Sequence, residues 1–352
     1  MGLATAVTEE HLPVYHWVYP KSENEAKPFQ EVVGTMVEQL VKFGVAADDL
    51  TFVFDRGVNS EKRLAAVRAE SVHFLSSLKR NQVQDLLAKP RTAYRALYTT
   101  QQEAPIYGFR AKRRVLGVDG VVVVALNESA QRRQARDYER AKERFLATCQ
   151  NVAAQMSKPH RGRRSTVQSG TERIEDALPP KWRGVFKYRV GATLDQGPPR
   201  FTVTGWADTK EEVELKAGFG KTVVFTDRVE WTDEEIVRTY FARSAMEEEF
   251  HVLKDVLLMP VMPIFHRLDR RIRVYAFLCV VGLLFYRWIQ RRVEEGTGER
   301  VPLEALAARL DWIRVAAVAR PGARKVKVVL QKLDREQTAV VKALGLDRFV
   351  PN

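Results

Sequence analysis

Asp55 and Glu247 are the two carboxylates whose settings suit metal-assisted chemistry. Asp55 closes a short apolar run, Leu50-Thr-Phe-Val-Phe54, and is followed by Arg56 and Gly57. Sheets of α/β proteins carry functional groups at such strand ends, although a lone Asp-Arg-Gly more often makes a turn. Glu247 lies in the stretch Thr232 to Lys254, after which no Gly or Pro occurs until Pro260. Tyr240, Arg243, Glu247, Phe250 and Lys254 follow one another there at steps of three or four residues. That spacing puts them on one stripe of a helix. Taken alone, the stripe is the edge of an amphipathic helix, its long charged side chains lying beside an apolar face. Read with Asp55, it has a second use. A strand-end Asp and a helix Glu can together hold Mg²⁺, which takes oxygen ligands and keeps positions open for phosphate and water. Two such ions activate an attacking hydroxyl and stabilise the leaving oxygen of a phosphodiester. Arg243 and Lys254, each one to two turns from Glu247, could meet phosphates there. Arg56 is either a further phosphate contact or half of a surface ion pair.

These residues need elements to position them. Thr232 and Glu235 have the spacing of a capping box and predict a helix from Thr232 to about Leu258. Ahead of Asp55, Leu3 to Val7 and Leu12 to Tyr19 read as strands joined by the turn Thr8-Glu-Glu-His11, and Phe29 to Phe43 as a helix with Val32, Val33, Met36, Val37 and Leu40 inward. Leu50 to Phe54 predicts a buried strand, Ser60 caps a helix to about Glu70, and Ser71 to Leu78 is a further strand. This alternation predicts an α/β domain with a mainly parallel sheet. A hairpin follows around Gly117-Val-Asp-Gly120, then a charged helix from Ser129 to Met156 and the basic loop Lys158 to Ser165. Gly184 to Val190, Phe201 to Trp206 and Val223 to Phe225 read as strands. Helices are expected over Arg267–Glu295, Leu303–Arg309 and Arg335–Leu344. The expected organisation is a first core segment (1–89), an inserted β-containing lobe (90–215), a second core segment with the Glu-bearing helix (216–295) and a C-terminal helical region (296–352).

The formal net charge of +13 points to a polyanionic partner, because clustered Lys and Arg displace counterions from phosphates. Cys149 and Cys279 are the only cysteines, which excludes a disulfide framework or a cysteine zinc site and suits a reducing cytoplasm. The six histidines show no metal-ligand spacing. No signal peptide is expected, and the most apolar run, Val274 to Phe285, is shorter than the roughly 20 residues that cross a bilayer. A soluble protein with no membrane partner is the expectation.

Tyr240-x2-Arg243-x3-Glu247-x6-Lys254 resembles the Y-R-E-K signature of the insertion sequence 4 family of bacterial DDE transposases. Val223 to Arg228 and the text through Pro260 resemble its insertion sequence 1634 branch, and Phe52 to Val58 resembles the segment bearing that family's second catalytic Asp. The resemblance spans nearly the whole chain. It implies an RNase H-like core interrupted by a β-rich domain, with Asp55 and Glu247 as catalytic ligands of Mg²⁺ or Mn²⁺. Tyr240, Arg243 and Lys254 would contact DNA. The implied partner is double-stranded DNA carrying terminal inverted repeats, bound by a homodimer in a synaptic complex, in the cytoplasm at the nucleoid. One feature of the family is missing. Its first Asp stands on a strand before the opening hairpin, and the aspartates ahead of Asp55 are Asp48 and Asp49. Six strand residues put Asp49 about 20 Å from Asp55, too far for carboxylates that share ions about 4 Å apart. The expectation is therefore a truncated, inactive transposase. The alternative is a non-catalytic DNA-binding or dimerising remnant that competes with the full-length enzyme, and a third reading is a hydrolytic nuclease on the same fold.

Overall fold

The computed structural model describes residues 2–8, 10–19, 26–55, 57, 59–100, 103–158, 165–193, 200–243, 252, 266–318 and 327–349. These form two compact units. The terminal unit is Met1–Asp49, Ala69–Ser71 and Phe241–Asn352; the central unit is Leu50–Arg68 and Val72–Tyr240.

The chain begins in the terminal unit with the antiparallel strands β1 (Gly2–Val7) and β2 (Pro13–Tyr19), in the register Leu3 to Val18 and Thr5 to His16. The expected turn closes them: the Thr8 amide donates to Leu12 O at 2.9 Å, and Leu12 N donates to the Thr8 hydroxyl at 3.2 Å. Helix α1 (Ala26–Lys42) buries Val33, Met36 and Val37, the middle of its expected apolar face.

In the central unit, β3 (Thr51–Phe54) leads through a turn to α2 (Glu61–Ala69) and β4 (His73–Ser77). Ser60 caps α2 by accepting from Arg63 N at 3.3 Å. The one-turn α3 (Gln84–Leu87) precedes β5 (Arg95–Thr99), β6 (Pro105–Val115) and β7 (Val118–Asn127). Then come α4 (Glu128–Met156), α5 (Val167–Ala177), β8 (Phe186–Thr193), β9 (Arg200–Ala207), α6 (Thr209–Ala217), β10 (Lys221–Thr226) and α7 (Asp233–Ala242). A six-stranded sheet has the order β3-β4-β10-β7-β6-β5.

Several sequence expectations change here. The sheet is mixed rather than mainly parallel, because β3–β4 is its parallel pair and the other neighbours run antiparallel. The cause lies in the connections: β6 and β7 are joined by the tight turn Leu116-Gly117, both residues at positive φ, and β10 re-enters between β4 and β7 after a long excursion. The hairpin turn is thus Leu116-Gly117 and not Gly117 to Gly120. Gly120 instead lies inside β7, where a Cβ would collide with Thr226 O and the Phe225 ring. Strand β3 is half-buried along its length rather than fully buried, as befits the outermost strand in this order. Strands β5 to β7 belong to the six-stranded sheet, so the sheet continues past the lobe boundary expected at residue 90.

From α4 to α6 the chain builds its own core. Tyr138, Phe145, Cys149, Trp182 and Phe186 pack together, with the Phe145 and Phe186 rings stacked at 5.0 Å and Tyr138 edge-on to Trp182 at 5.3 Å. The β8–β9 hairpin covers this core.

The chain then returns to the terminal unit with α8 (Asp269–Thr297), α9 (Leu303–Asp311), the antiparallel pair β11 (Val315–Val318) and β12 (Lys327–Leu330), and α10 (Arg335–Ala343). The β11–β12 pair is not foreseen in the sequence. Helix α8 packs Cys279 and Leu283 with Leu3 and Leu303, and its Phe277 ring lies 5.7 Å from His16. Its 29 residues exceed the apolar run seen in the sequence, and by length and composition alone it could cross a bilayer. Its buried side also carries Arg287, which donates to Gln290 Oε1 at 2.7 Å, while Gln290 donates to Val301 O at 2.6 Å. The other side of α8 leaves Val274, Phe277, Leu278, Phe285 and Trp288 exposed.

Candidate functional site

Asp55 follows β3 directly and is exposed. The turn after it is tied to the neighbouring strand: Ser76 Oγ donates to Phe54 O at 2.9 Å, and the Asn59 side chain donates to Ser77 O. With Ser60 starting α2, the carboxylate is held at the carboxyl end of a strand between two anchored points. Val53 packs into the cluster formed by Leu75, Ile106, Val121, Val224, Ile236 and Tyr240. Val53 marks one face of β3. That is the face α7 covers.

Helix α7 begins as the sequence predicts. Thr232 N donates to Glu235 Oε2 at 2.7 Å and Glu235 N donates to Thr232 Oγ1 at 3.2 Å, the reciprocal bonds of a capping box. Its first residue, Asp233, is an anchor that sequence reading missed. Its carboxylate, 2% exposed, accepts from Arg95 Nη2 and from Arg110 Nε, both at 2.6 Å. Arg110 also donates to the backbone carbonyls of Val229 and Trp231. Two arginines from β5 and β6 therefore pin the start of α7 to the sheet. The partners lie more than 120 residues away in sequence, so no local pattern could have revealed them.

Of the six expected site residues, Asp55, Tyr240 and Arg243 lie among the described residues; Arg56, Glu247 and Lys254 lie outside them. Tyr240, expected to contact DNA, is 3% exposed, with its ring in the sheet cluster. Its burial seats α7 on the sheet. Arg243 follows the end of α7 and is half-buried. The helix is described to Ala242, so its expected continuation to Leu258 lies outside the described residues save for Val252.

Asp227, in the run Phe225-Thr-Asp-Arg228, is a second carboxylate next to a strand end. It stands at the opposite end of the sheet, after β10 and beside the start of β4. Its carboxylate accepts from Phe74 N at 3.0 Å and lies 3.3 Å from His73 Nδ1. Arg228 next to it donates to Thr51 Oγ1 at 3.0 Å, at the beginning of β3. Asp227 thus closes the sheet end away from Asp55, in keeping with a turn role.

Among the described residues no group of three or more His, Cys, Asp or Glu side chains could hold a metal ion. The chemistry at Asp55 still suits a hard cation, because an exposed Asp supplies carboxylate oxygens. A comparison with curated proteins finds no match. Residues 1–260 match the family model described as the transposase DDE domain. That match runs from the β1–β2 hairpin through both Asp55 and α7, and it shows that the chain belongs to the DDE transposase family.

Proposed function

We propose that this chain is the transposase polypeptide of a bacterial insertion sequence in the insertion sequence 4 family, of the 1634-like branch, with an RNase H-like core. One observation supports the reading best. Val53, two residues before Asp55, packs in the same cluster as Tyr240, seven residues and so about two helical turns before Glu247. The strand that ends in one expected metal ligand and the helix that leads to the other are packed on one sheet face. Asp55 and Glu247 hold Mg²⁺ or Mn²⁺ in this reading, and the ion supplies Lewis-acid activation of a hydroxyl and of the scissile phosphate. Arg243, Lys254 and Arg56 neutralise phosphate charge beside it, while Tyr240 fixes the helix that carries them. The partner is duplex DNA with terminal inverted repeats, bound by a homodimer at the nucleoid in the cytoplasm.

Residues 1–352 bring two carboxylates to this constellation. Asp48 and Asp49 sit in a single 3-10 turn ahead of β3, at the end of that strand away from Asp55. We therefore propose that these residues by themselves bind transposon-end DNA without cutting or joining it. The test combines filter binding to end-containing duplexes with a nicking and strand-transfer assay in Mg²⁺ or Mn²⁺. Binding without products is expected. Products that disappear in Asp55→Asn would show that these residues hold a complete site and overturn the reading that they bind without cutting. Absence of binding at about 50 mM salt, where nonspecific contacts are strong, would overturn the DNA-binding reading itself.

A further inference from the structure

Helix α4 carries a cationic stripe with no side-chain partner among the described residues. Arg133, Arg136, Arg140 and Arg144 are all exposed, as is the adjacent Arg132. At 3.6 residues per turn the four fall within about 80° of one another. They lie opposite Tyr138, Phe145, Cys149, Val152 and Met156, which bury the other side of the helix in the lobe core. Among the described residues none of these arginines has an ion-pair or hydrogen-bond partner for its side chain. Elsewhere, exposed helical arginines do find partners four residues away, as in Arg238 with Glu234 at 2.7 Å and Arg273 with Asp269 at 2.8 Å.

The acids of α4 are mostly engaged away from the stripe. Glu128 meets Arg91 at 2.7 Å and Glu139 meets Lys216 at 2.8 Å, which leaves Asp137 and Glu143 at its two margins. Arg132 with Arg136, Arg136 with Arg140, and Arg140 with Arg144 are like-charge pairs at a four-residue spacing, an arrangement that disfavours a helix in water. Among the described residues no ion pair or hydrogen bond of these side chains offsets that repulsion, but a polyanion lying along the helix would. From Arg133 to Arg144 the stripe spans about 16 Å at 1.5 Å per residue, close to half a turn of B-form duplex, whose full turn is about 34 Å.

We propose that this face of α4 is a second DNA contact surface, which tracks the phosphate backbone of a duplex independently of sequence. The inference rests on the DNA-binding reading above and adds where in the lobe the duplex lies. Its contribution is electrostatic, from counterion release rather than base recognition.

The test measures the salt dependence of binding to a 40-bp mixed-sequence duplex by fluorescence anisotropy. The intact chain is compared with the quadruple variant Arg133→Gln, Arg136→Gln, Arg140→Gln, Arg144→Gln. A control set removes equal charge from scattered exposed positions: Lys62→Gln, Lys89→Gln, Arg335→Gln, Lys342→Gln. Loss of four phosphate contacts lowers the slope of log K against log salt by roughly 3 to 4, and the affinity near 0.1 M salt by about 10³-fold. The control set is expected to change the slope by well under half as much. The double variant Arg136→Gln, Arg140→Gln is expected to give about half the quadruple effect, and it carries the test if the quadruple variant does not fold. An unchanged slope in the stripe variants, or an equal change in the control set, overturns the α4 surface and leaves the DNA-binding reading standing. Failure of the intact chain to bind overturns both.

Discussion

The residues that hold the site's surroundings in place are charged groups with partners distant in sequence. Asp233 is the clearest, since its carboxylate is almost fully enclosed and is met by two guanidinium groups. Removing it by Asp233→Ala deprives both arginines of this acceptor, of which Arg95 is largely exposed, and we expect a loss of about 1–3 kcal/mol in chemical denaturation, as for charge-assisted hydrogen bonds. Glu212 does the same work for the lobe. Its hydrogen bond with Lys216, and a second with Lys142, hold its carboxyl at about 2, well below the ordinary 4.5, against the opposing effect of burial. A folded-state value below the unfolded one stabilises the native state above the unfolded pKa and is lost as the group becomes protonated. The chain should therefore lose stability progressively from about pH 4.5 towards pH 2. Glu212→Gln should flatten that part of the acid profile in thermal melts while costing about 1–3 kcal/mol near neutrality. An acid limb as steep in the variant as in the parent would show that the loss comes from elsewhere.

At the scale of elements, α7 and β7 carry the site's geometry. The four valines Val121 to Val124 are wholly enclosed, so β7 is packed on both faces within the sheet. Gly120 at its start has no space for a methyl group, and Gly120→Ala should cost about 1–3 kcal/mol through overpacking against β10. Tyr240 anchors α7 to the same sheet, and Tyr240→Ala should lower stability by about 3–5 kcal/mol, the range for a buried aromatic. Tyr240→Phe should keep most of that stability because the ring remains. If Tyr240→Ala instead lowers DNA affinity with no shift in melting temperature, the ring's part is contact with the nucleic acid rather than packing.

For the molecule as a whole, the two compact units make a prediction of their own. The six-stranded sheet, α7 up to Tyr240 and the α4–α6 lobe all fall within the central unit. A fragment of residues 50–240 should accordingly unfold cooperatively, with its slowest hydrogen exchange in β7 and β10. A broad, non-cooperative melt would show that this core needs the terminal unit to form. Family membership rests on a match over residues 1–260, and the net charge of +13 accords with a DNA partner.

Much of this was legible in the chain alone, and the reasons are physical. The Thr232–Glu235 capping box, the Ser60 cap, the Thr8–His11 turn and the long helices depend on residues within one or two turns of each other, so their spacing is sufficient to specify them. The Y-R-E-K spacing and the Asp after β3 likewise needed nothing beyond adjacency in sequence to suggest a phosphodiester chemistry. Strand order and direction could not be read in that way. The pairing of Thr226 with Leu75 joins positions more than 150 residues apart, and whether β10 enters parallel or antiparallel is decided by the excursion between them. The same holds for side-chain fate. Tyr240 and Asp233 are an aromatic and an acid on one helix, and only the packed sheet decides that both are buried, one in a hydrophobic cluster and one between two arginines. Local free energies set the elements and the motif; long-range burial set which way the strands ran and enclosed Tyr240 and Asp233.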